Sequence, residues 1–357
     1  MFSEAVIAKK TGDQKPGCRL LTAIGPDMSL SIEDVSSAAQ RLLGKAVTTP
    51  LVECHLLSEQ INGRVFIKAE CLQRTGSFKF RGATNAISHY QEAGGQDPIV
   101  ACSSGNHAQG IAEAARLHGY PATIIMPSDA PQIKVDRTRR SGAAIEFYDR
   151  ASEDREVVTD AFIRQHGGYL IHPYNEPLVI AGQGTIGLEI MTQLEQWGLS
   201  CDSLITPAGG GGLAAGQALV VKHLSPATRL HLVEPSGFDD YGRSLASGKI
   251  ETNKQTAGSV CDAILTPAPG ERSFEIVSGL GARAHVVKDE EALRAVRYAV
   301  HEAKLVIEPG GAAALAHLLN DPAEFANQTV VMIASGGNVD PAMLAGVMTA
   351  EISELLS

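Results

Sequence analysis

Short apolar runs alternate along the chain with stretches of helical periodicity. Runs rich in β-branched and aromatic residues predict strands at Ile99–Cys102, 122–126, 145–148, 169–171, 204–206, 229–233 and 330–334. A helix is predicted to begin after Ser31, where Asp34 can complete an N-terminal capping box, and to end near Gly44, while residues 1–28 are predicted to be weakly structured. Because strands separated by helices form parallel sheets covered on both faces, the pattern predicts an α/β protein.

Composition and charge narrow the class of protein. A length of 357 residues suits about two domains, and 44% hydrophobic with 20% charged residues is typical of a soluble globular chain. The formal net charge of −10 disfavours nucleic acid and anionic membranes as partners, because both require clusters of Lys and Arg. Six scattered cysteines without a CxxC pair, and an N-terminus without an apolar signal segment, predict reduced thiols and a cytoplasmic location.

One lysine lies between two aromatic residues at the start of a predicted helix. Phe78 and Phe80 flank Lys79, and Ala83 and Ile87 continue an apolar helix face. A solvated surface charge is the ordinary role of such a lysine. An apolar helix start removes water from the ammonium group, however, which lowers its pKa and makes the amine nucleophilic.

Two glycine-containing turns follow predicted strands, where ligands bind in open α/β sheets. The turn 102–107 offers Ser, Asn and His donors to an anion, and a plain helix cap is its alternative role. The turn 208–213 holds four consecutive glycines, which allow the backbone to wrap around a phosphate at a helix start. Its Gly210-x-Gly212-x-x-Ala215 spacing, with Glu234 about 20 residues further on, also suits a dinucleotide, so a nicotinamide dehydrogenase is an alternative.

Two further segments carry polar chemistry. Segment 334–338 is another glycine-rich turn after a strand, with a hydroxyl at Ser335. In segment 234–240, Glu234 and Asp240 flank a turn and could hold a hard divalent cation, while a solvated acidic loop is the alternative. P-loop, zincin and α/β-hydrolase motifs do not occur in the sequence.

Taken together and in this order, the segments resemble the fold-type II pyridoxal-phosphate enzymes, specifically the threonine/serine dehydratase and serine racemase group. The matching segments are 76–83, 103–110, 181–187, 209–213, 307–309 and 335–340, and the resemblance spans roughly residues 28–345. It implies a tryptophan synthase β-like fold, with two twisted, mainly parallel α/β domains and the cofactor in their cleft. The large domain is expected to comprise residues 1–90 and 172–357, and the small mobile domain residues 91–171.

The resemblance also assigns roles to individual residues. Lys79 and Ser104 are expected to be catalytic, with Lys79 forming a Schiff base to pyridoxal 5′-phosphate. The other cofactor-binding residues are expected to be Phe78, Asn106, Gly209, Gly210, Gly211, Gly212, Leu213, Glu308 and Ser335. The substrate is expected to contact Ser103, Gly105, His107 and Arg155. A divalent cation such as Mg²⁺ is expected at Glu234, Asp240 and the carbonyl of Phe238.

The implied activity is β-elimination, in which a β-hydroxy amino acid such as L-threonine or L-serine is converted to a 2-keto acid and ammonia. Biosynthetic threonine dehydratases often carry Ala at the position of Ser104, whereas serine racemases and hydroxyaspartate dehydratases carry Ser. Amino-acid racemisation and 3-hydroxyaspartate dehydration are therefore alternatives, and a ligand-binding module without catalysis is another. A small amino-acid substrate and a homodimer are typical of this family.

Overall fold

The computed structural model describes residues 30–130, 132–255 and 257–350, so the weakly structured segment predicted for residues 1–28 lies outside the described residues. Within these ranges the strands are β1 Leu51–Glu53, β2 Arg64–Lys68, β3 Ile99–Cys102, β4 Ala122–Pro127, β5 Ala144–Tyr148, β6 Tyr169–Leu170, β7 Ser203–Pro207, β8 Arg229–Pro235, β9 Arg283–Val287 and β10 Thr329–Ile333. The α-helices are α1 Ile32–Leu42, α2 His55–Gln60, α3 Lys79–Glu92, α4 Asn106–His118, α5 Gln132–Arg140, α6 Arg155–His166, α7 Pro177–Glu195, α8 Gly212–Leu224, α9 Asp240–Ser247, α10 Glu271–Ser278, α11 Asp289–Tyr298, α12 Pro309–Asn320 and α13 Pro341–Thr349.

The strands form two separate sheets. The larger sheet has the order β1-β2-β10-β7-β8-β9, and all its pairings are parallel except that of β1 with β2. The smaller sheet has the order β5-β4-β3-β6 and is entirely parallel. Its strands lie between residues 99 and 170, and the predicted domain boundaries at 90/91 and 171/172 remain a prediction.

Helices cover both faces of the larger sheet, as expected for a parallel sheet. One hydrophobic cluster packs residues of α11 and α12 against β2, β7, β8 and β10, and a second packs α7 and α8 against the opposite face. A third cluster joins the smaller sheet to α3 and α4 and also includes the start of α7. None of the described helices is long and apolar enough to cross a membrane.

All seven predicted strands are present, and the α/β class is confirmed. The capping box of α1 is also present, since the Asp34 carboxylate accepts the Ser31 backbone N–H at 2.9 Å. Sequence reasoning missed β1, β2 and β9. β1 has only three residues, β2 has a charged residue at each end, and His285 interrupts the short apolar run of β9.

A buried ion network fixes the start of α3. Arg81 is 1% exposed and donates to Glu70 at 2.8 and 2.8 Å and to Glu189 at 2.7 and 2.9 Å. Lys68, which is also buried, donates to Glu189 at 2.6 Å. Because Arg81 lies two residues after Lys79, the network holds the helix turn that presents this lysine.

Candidate active site

The carboxyl ends of β7 and β10 open into a cleft of about 510 Å³ that reaches α3. Most of the predicted cofactor residues line this cleft, and five further residues line it as well. The lining residues are Phe78, Lys79, Asn106, Tyr174, Pro207, Gly209, Gly210, Gly211, Gly212, Leu213, Ala263, Ile264, Thr266 and Ser335. The structure thus gathers into one place residues that are more than 250 positions apart in the chain.

Lys79 begins α3, and its ammonium group has lost most of its water. The Nζ donates to the carbonyl of Pro173 at 2.9 Å and lies 5.1 Å from the centroid of the Phe78 ring. Burial lowers the pKa of Lys79 to about 8. The alternative of a solvated surface lysine is therefore wrong, and the amine is suited to act as a nucleophile or a base.

The glycine turn connects β7 to α8 and approaches two tyrosine rings so closely that side chains would not fit at its centre. A Cβ on Gly210 would lie 2.3 Å from the Tyr174 ring, and one on Gly211 would lie 2.4 Å from the Tyr241 ring. No backbone N–H from residues 209–213 donates a hydrogen bond to another described residue. Free donors at the start of a helix form an anion site, so the turn fits the phosphate of pyridoxal phosphate.

The alternative of a dinucleotide site requires Glu234 to face the cleft, and the structure places this residue elsewhere. Glu234 is completely buried, and its two carboxylate oxygens accept the backbone N–H groups of Tyr241 and Gly242, each at 2.8 Å. Its carboxylate therefore fastens the start of α9 instead of facing the cleft for a ribose.

Asn106 and Glu308 meet at the cleft in a chain of hydrogen bonds. The Asn106 Nδ2 donates to Glu308 Oε1 at 2.5 Å, and the Asn106 Oδ1 accepts from Asn338 Nδ2 at 2.7 Å. Arg137 of α5 donates to Asn338 at 3.0 Å. Burial raises the pKa of Glu308 to about 7. Asn338 and Arg137 were not identified from the sequence.

The Ser335 hydroxyl faces the same cleft. The residue follows β10, is 5% exposed, and its carbonyl accepts the Phe78 N–H at 3.0 Å. A neutral hydroxyl fits a pyridine nitrogen, because it can donate to that nitrogen without placing a charge beside it.

The turn before α4 holds the predicted substrate residues Ser103 and Gly105. The predicted substrate residue His107 follows in the first turn of α4. Ser103 accepts the N–H of Gly105 at 3.2 Å, and Ser104 is half-buried with no side-chain hydrogen bond to another described residue. His107 instead points into the protein, where its Nε2 donates to the carbonyl of Ile171 at 3.0 Å. Burial lowers the pKa of His107 to about 3, so the ring is neutral and is suited to positioning the turn. The substrate roles of this turn remain predictions.

Arg155 supplies a positive charge near the cleft. It begins α6, and its guanidinium lies close enough to the Tyr174 hydroxyl to oppose the rise in that phenol's pKa that burial causes. Burial, together with the charge of Arg155, lowers the pKa of His172 to about 4. Sequence reasoning missed Tyr174, which belongs to a polar turn directly after β6.

The carboxylates of Glu234 and Asp240 in the acidic segment are buried, which disagrees with the alternative of a solvated acidic loop. Glu234 and Asp240 are 0% and 1% exposed, and Phe238 is 2% exposed. Burial raises the pKa of Glu234 to about 8 and that of Asp240 to about 6. The Asp240 Oδ2 has no hydrogen-bond partner among the described residues. Two close buried carboxylates with a free oxygen fit a divalent cation, and this site remains a prediction.

Comparison with known proteins agrees with this geometry. The model of the family described as pyridoxal-phosphate dependent enzyme matches residues 43–336. L-threo-3-hydroxyaspartate ammonia-lyase from Pseudomonas sp is 45% identical over 310 residues, which cover 87% of this chain and 96% of that protein. Serine racemase from Schizosaccharomyces pombe is 36% identical over 308 residues, which cover 86% of this chain and 94% of that protein.

The solved structures agree as well. The threonine deaminase from T.th. matches with a TM-score of 0.81 at 40% identity, covering 87% of this chain and 99% of that chain. The predicted fold-type II architecture is confirmed, and the cofactor is pyridoxal 5′-phosphate. The nicotinamide dehydrogenase alternative is thereby removed. On the family match over most of its length, the chain belongs to the pyridoxal-phosphate dependent enzymes.

Proposed function

We propose that the chain is an ammonia-lyase that removes water and then ammonia from a β-hydroxy amino acid, and that its preferred substrate is 3-hydroxyaspartate. The observation that carries the substrate assignment is Arg155, a cation beside the cleft-lining Tyr174. Threonine and serine offer only a methyl group or hydrogen beyond Cβ, whereas 3-hydroxyaspartate offers a second carboxylate. A guanidinium binds a carboxylate through two parallel hydrogen bonds. The relative that is 45% identical is named for the same substrate.

The residues of the cleft divide the remaining work. The free N–H groups of residues 209–213 would hold the cofactor phosphate, and Asn106 and Ser335 would contact its ring. Joined to the substrate amine in place of Lys79, pyridoxal phosphate would supply an electron sink that weakens the Cα–H bond of the substrate. The turn 103–105 receives the α-carboxylate at the start of α4, where backbone N–H groups favour an anion.

Proton transfer falls to Lys79. Its amine is desolvated, with a pKa of about 8, and is therefore partly neutral at neutral pH and able to take the Cα proton. The β-hydroxyl group then takes up a proton and leaves Cβ as water. The enamine released from the site hydrolyses in water to oxaloacetate and ammonia, so that one water lost is replaced by one water consumed.

A substrate panel tests the proposal. Purified protein is incubated with L-threo-3-hydroxyaspartate, L-threonine and L-serine, and the keto acids are quantified. The expected result is a kcat/KM for 3-hydroxyaspartate roughly 10- to 100-fold above that for threonine, since the second carboxylate gains a charge-assisted hydrogen-bonded pair of ~1.5–3 kcal/mol. A higher kcat/KM for threonine would overturn the substrate, and no keto acid from any of them would overturn the lyase assignment.

A pair of arginine variants isolates the cause of the preference. Arg155→Gln should lower kcat/KM for 3-hydroxyaspartate by roughly 10- to 100-fold while changing that for threonine little, because only 3-hydroxyaspartate has a second carboxylate for Arg155 to bind. Arg164→Gln changes an exposed arginine of the same helix and is the matched control. Equal losses for both substrates would assign Arg155 to structure instead of selectivity.

Racemisation is the second candidate function, and Ser104 favours it. Its hydroxyl is half-buried and uncommitted to any other described side chain, so it is available as an acid on the turn that faces the cleft. Chiral analysis of L-serine incubations measures this directly. Racemisation is supported if the unaltered protein forms D-serine and Ser104→Ala does not, while Ser104→Ala still releases keto acid. Keto acid without D-serine leaves elimination alone.

A further inference from the structure

Three histidines and one glutamate meet on the larger sheet outside the cleft. His231 belongs to β8, His285 to β9 and His317 to α12, and Glu324 lies in the short turn of 3₁₀-helix Pro322–Phe325. None of the four lines the cofactor cleft. His317 lies roughly 12 Å along the axis of α12 from its start beside the cleft.

The sheet register explains the meeting. His231 pairs with Arg283, and Val233 pairs with His285, so the two histidines are diagonal neighbours on one face of adjacent parallel strands. The same face is covered by α12, which supplies His317 from its last turns. Phe325 packs beside both His231 and His317, and its chain neighbour Glu324 thereby reaches the cluster.

The separations between the ligand atoms suit a metal ion. One ligand atom from each residue can be chosen so that all four lie within 4.8 Å of one another. The His231 Nδ1 lies 3.0 Å from the His285 Nε2 and 3.8 Å from the Glu324 Oε1, and the His317 Nε2 lies 3.3 Å from the Glu324 Oε2. A tetrahedral zinc ion with ligands at about 2.0–2.1 Å requires ligand atoms about 3.3 Å apart.

Hydrogen bonding within the protein leaves this cluster incomplete. His317 is 7% exposed, and its Nε2, one of the ligand atoms named above, has no hydrogen-bond partner among the described residues. Buried polar atoms are normally paired, because an unpaired one loses its bond to water without replacement. The His317 Nε2 faces Glu324 across the cluster, where a cation would take its lone pair.

The cluster also has the charge that such an ion needs. A neutral imidazole keeps a free lone pair on one ring nitrogen, and that is the form in which His binds a metal. Glu324 supplies one negative charge. Its Oε1 also lies 3.4 Å from the Nη1 of the half-exposed Arg283. Each carboxylate oxygen has two lone pairs, so Arg283 leaves Glu324 able to bind a metal.

We propose that His231, His285, His317 and Glu324 form a binding site for one divalent transition-metal ion, with zinc as the preferred ion. Three imidazoles and one carboxylate are ligands of zinc and its neighbours, whereas magnesium and calcium take oxygen ligands. The site is separate from the acidic segment 234–240. It would tie β8 and the edge strand β9 to α12, and the bound ion would stabilise the folded protein.

Metal titration of the purified holoenzyme, stripped of metal by chelator dialysis, tests the site. We expect one equivalent of Zn²⁺ to bind with a Kd below about 1 µM and to raise the thermal midpoint. Co²⁺ should give the intense visible bands of a tetrahedral ion, which an octahedral oxygen site does not produce. Absence of stoichiometric Zn²⁺ binding, or weak bands typical of octahedral Co²⁺, would overturn the proposal.

Single variants locate the bound ion. His285→Asn and Glu324→Gln change half-buried ligands, and each should weaken Zn²⁺ binding by more than the ~10–100-fold typical of partners outside the coordination shell. His223→Asn, an exposed histidine, and Asp240→Asn, in the acidic segment, should retain both the affinity and the Co²⁺ bands. Far-ultraviolet circular dichroism and bound-cofactor absorption identify variants that remain folded. Unchanged binding in folded His285→Asn and Glu324→Gln would place the ion elsewhere and refute the site.

Discussion

The cradle formed by residues 209–213 makes a quantitative prediction for Gly211→Ala. Gly211 has a φ of +86°, which an alanine adopts at a cost of ~1–2 kcal/mol. Its new Cβ would lie 2.4 Å from the Tyr241 ring and 2.8 Å from the Ser273 hydroxyl. Tyr241 is completely buried, so the ring has nowhere to move, and overpacking adds ~1–3 kcal/mol. The free energy of unfolding should therefore fall by ~2–5 kcal/mol.

Cofactor affinity should fall as well. Gly211 caps the start of α8, and a displaced turn loses at least one N–H bond to the phosphate, worth ~1.5–3 kcal/mol. The Kd for pyridoxal phosphate should then rise roughly ten- to hundredfold. Urea unfolding of the cofactor-free protein measures the first effect, and titration followed by visible absorption measures the second.

Gly248→Ala is the matched control. Gly248 also has a positive φ, of +74°, but a Cβ there has no atom within 4 Å. The control should lose only the ~1–2 kcal/mol of backbone strain and keep its cofactor affinity. If Gly211→Ala loses no more stability than Gly248→Ala and binds pyridoxal phosphate equally well, the cradle is not where the phosphate sits.

Three further predictions concern Lys79, Arg81 and Glu308. Lys79→Ala should abolish the visible absorption of bound cofactor together with keto-acid release, and absorption that survives would refute the Schiff-base assignment. Arg81→Ala should cost ~3–5 kcal/mol in urea unfolding, since it leaves the fully buried Glu70 carboxylate without its charged partner. Arg64→Ala, which breaks a partly exposed pair, should cost no more than ~1 kcal/mol. Burial raises the pKa of Glu308 from 4.5 to about 7, so the stability of the cofactor-free protein should fall as pH rises through this interval. Glu308→Gln should flatten that decline, and an unchanged pH profile would contradict the assignment.

The parts of the site that follow a strand without interruption were predictable from the sequence. The turns at 102–107, 208–213 and 334–338 each carry their polar or glycine residues next to an apolar run, and the structure places all three at one cleft. Parallel strands end at the same edge of their sheet, so local pattern brings together the turns after β7 and β10, while the turn after β3 belongs to the smaller sheet. The turn pattern did not show that the His107 ring faces inward, toward the carbonyl of Ile171.

Contacts made across long separations in sequence were not predictable. Asn338 and Arg137 complete the Asn106–Glu308 chain, yet they are some 200 residues apart and neither sits in a recognisable spacing. Arg81 has two carboxylate partners, but in sequence an arginine two residues after Lys79 is indistinguishable from a surface charge. Its pairing with Glu189 depends on the packing of α3 against α7, which a one-dimensional pattern does not contain.

Strand β8 shows how one alternating pattern serves both sites. Leu230 and Leu232 pack into the cluster of α7 and α8, while Val233 packs into the cluster of α11 and α12 on the opposite face. His231 lies on the face of Val233, and so the strand's period of two directs its imidazole toward α12 and away from the cleft. Glu234 is at the carboxyl end on the other face, where it fastens the start of α9. The polar side chain of His231 therefore has its partners on the face that α12 covers. These partners are His285, His317 and Glu324.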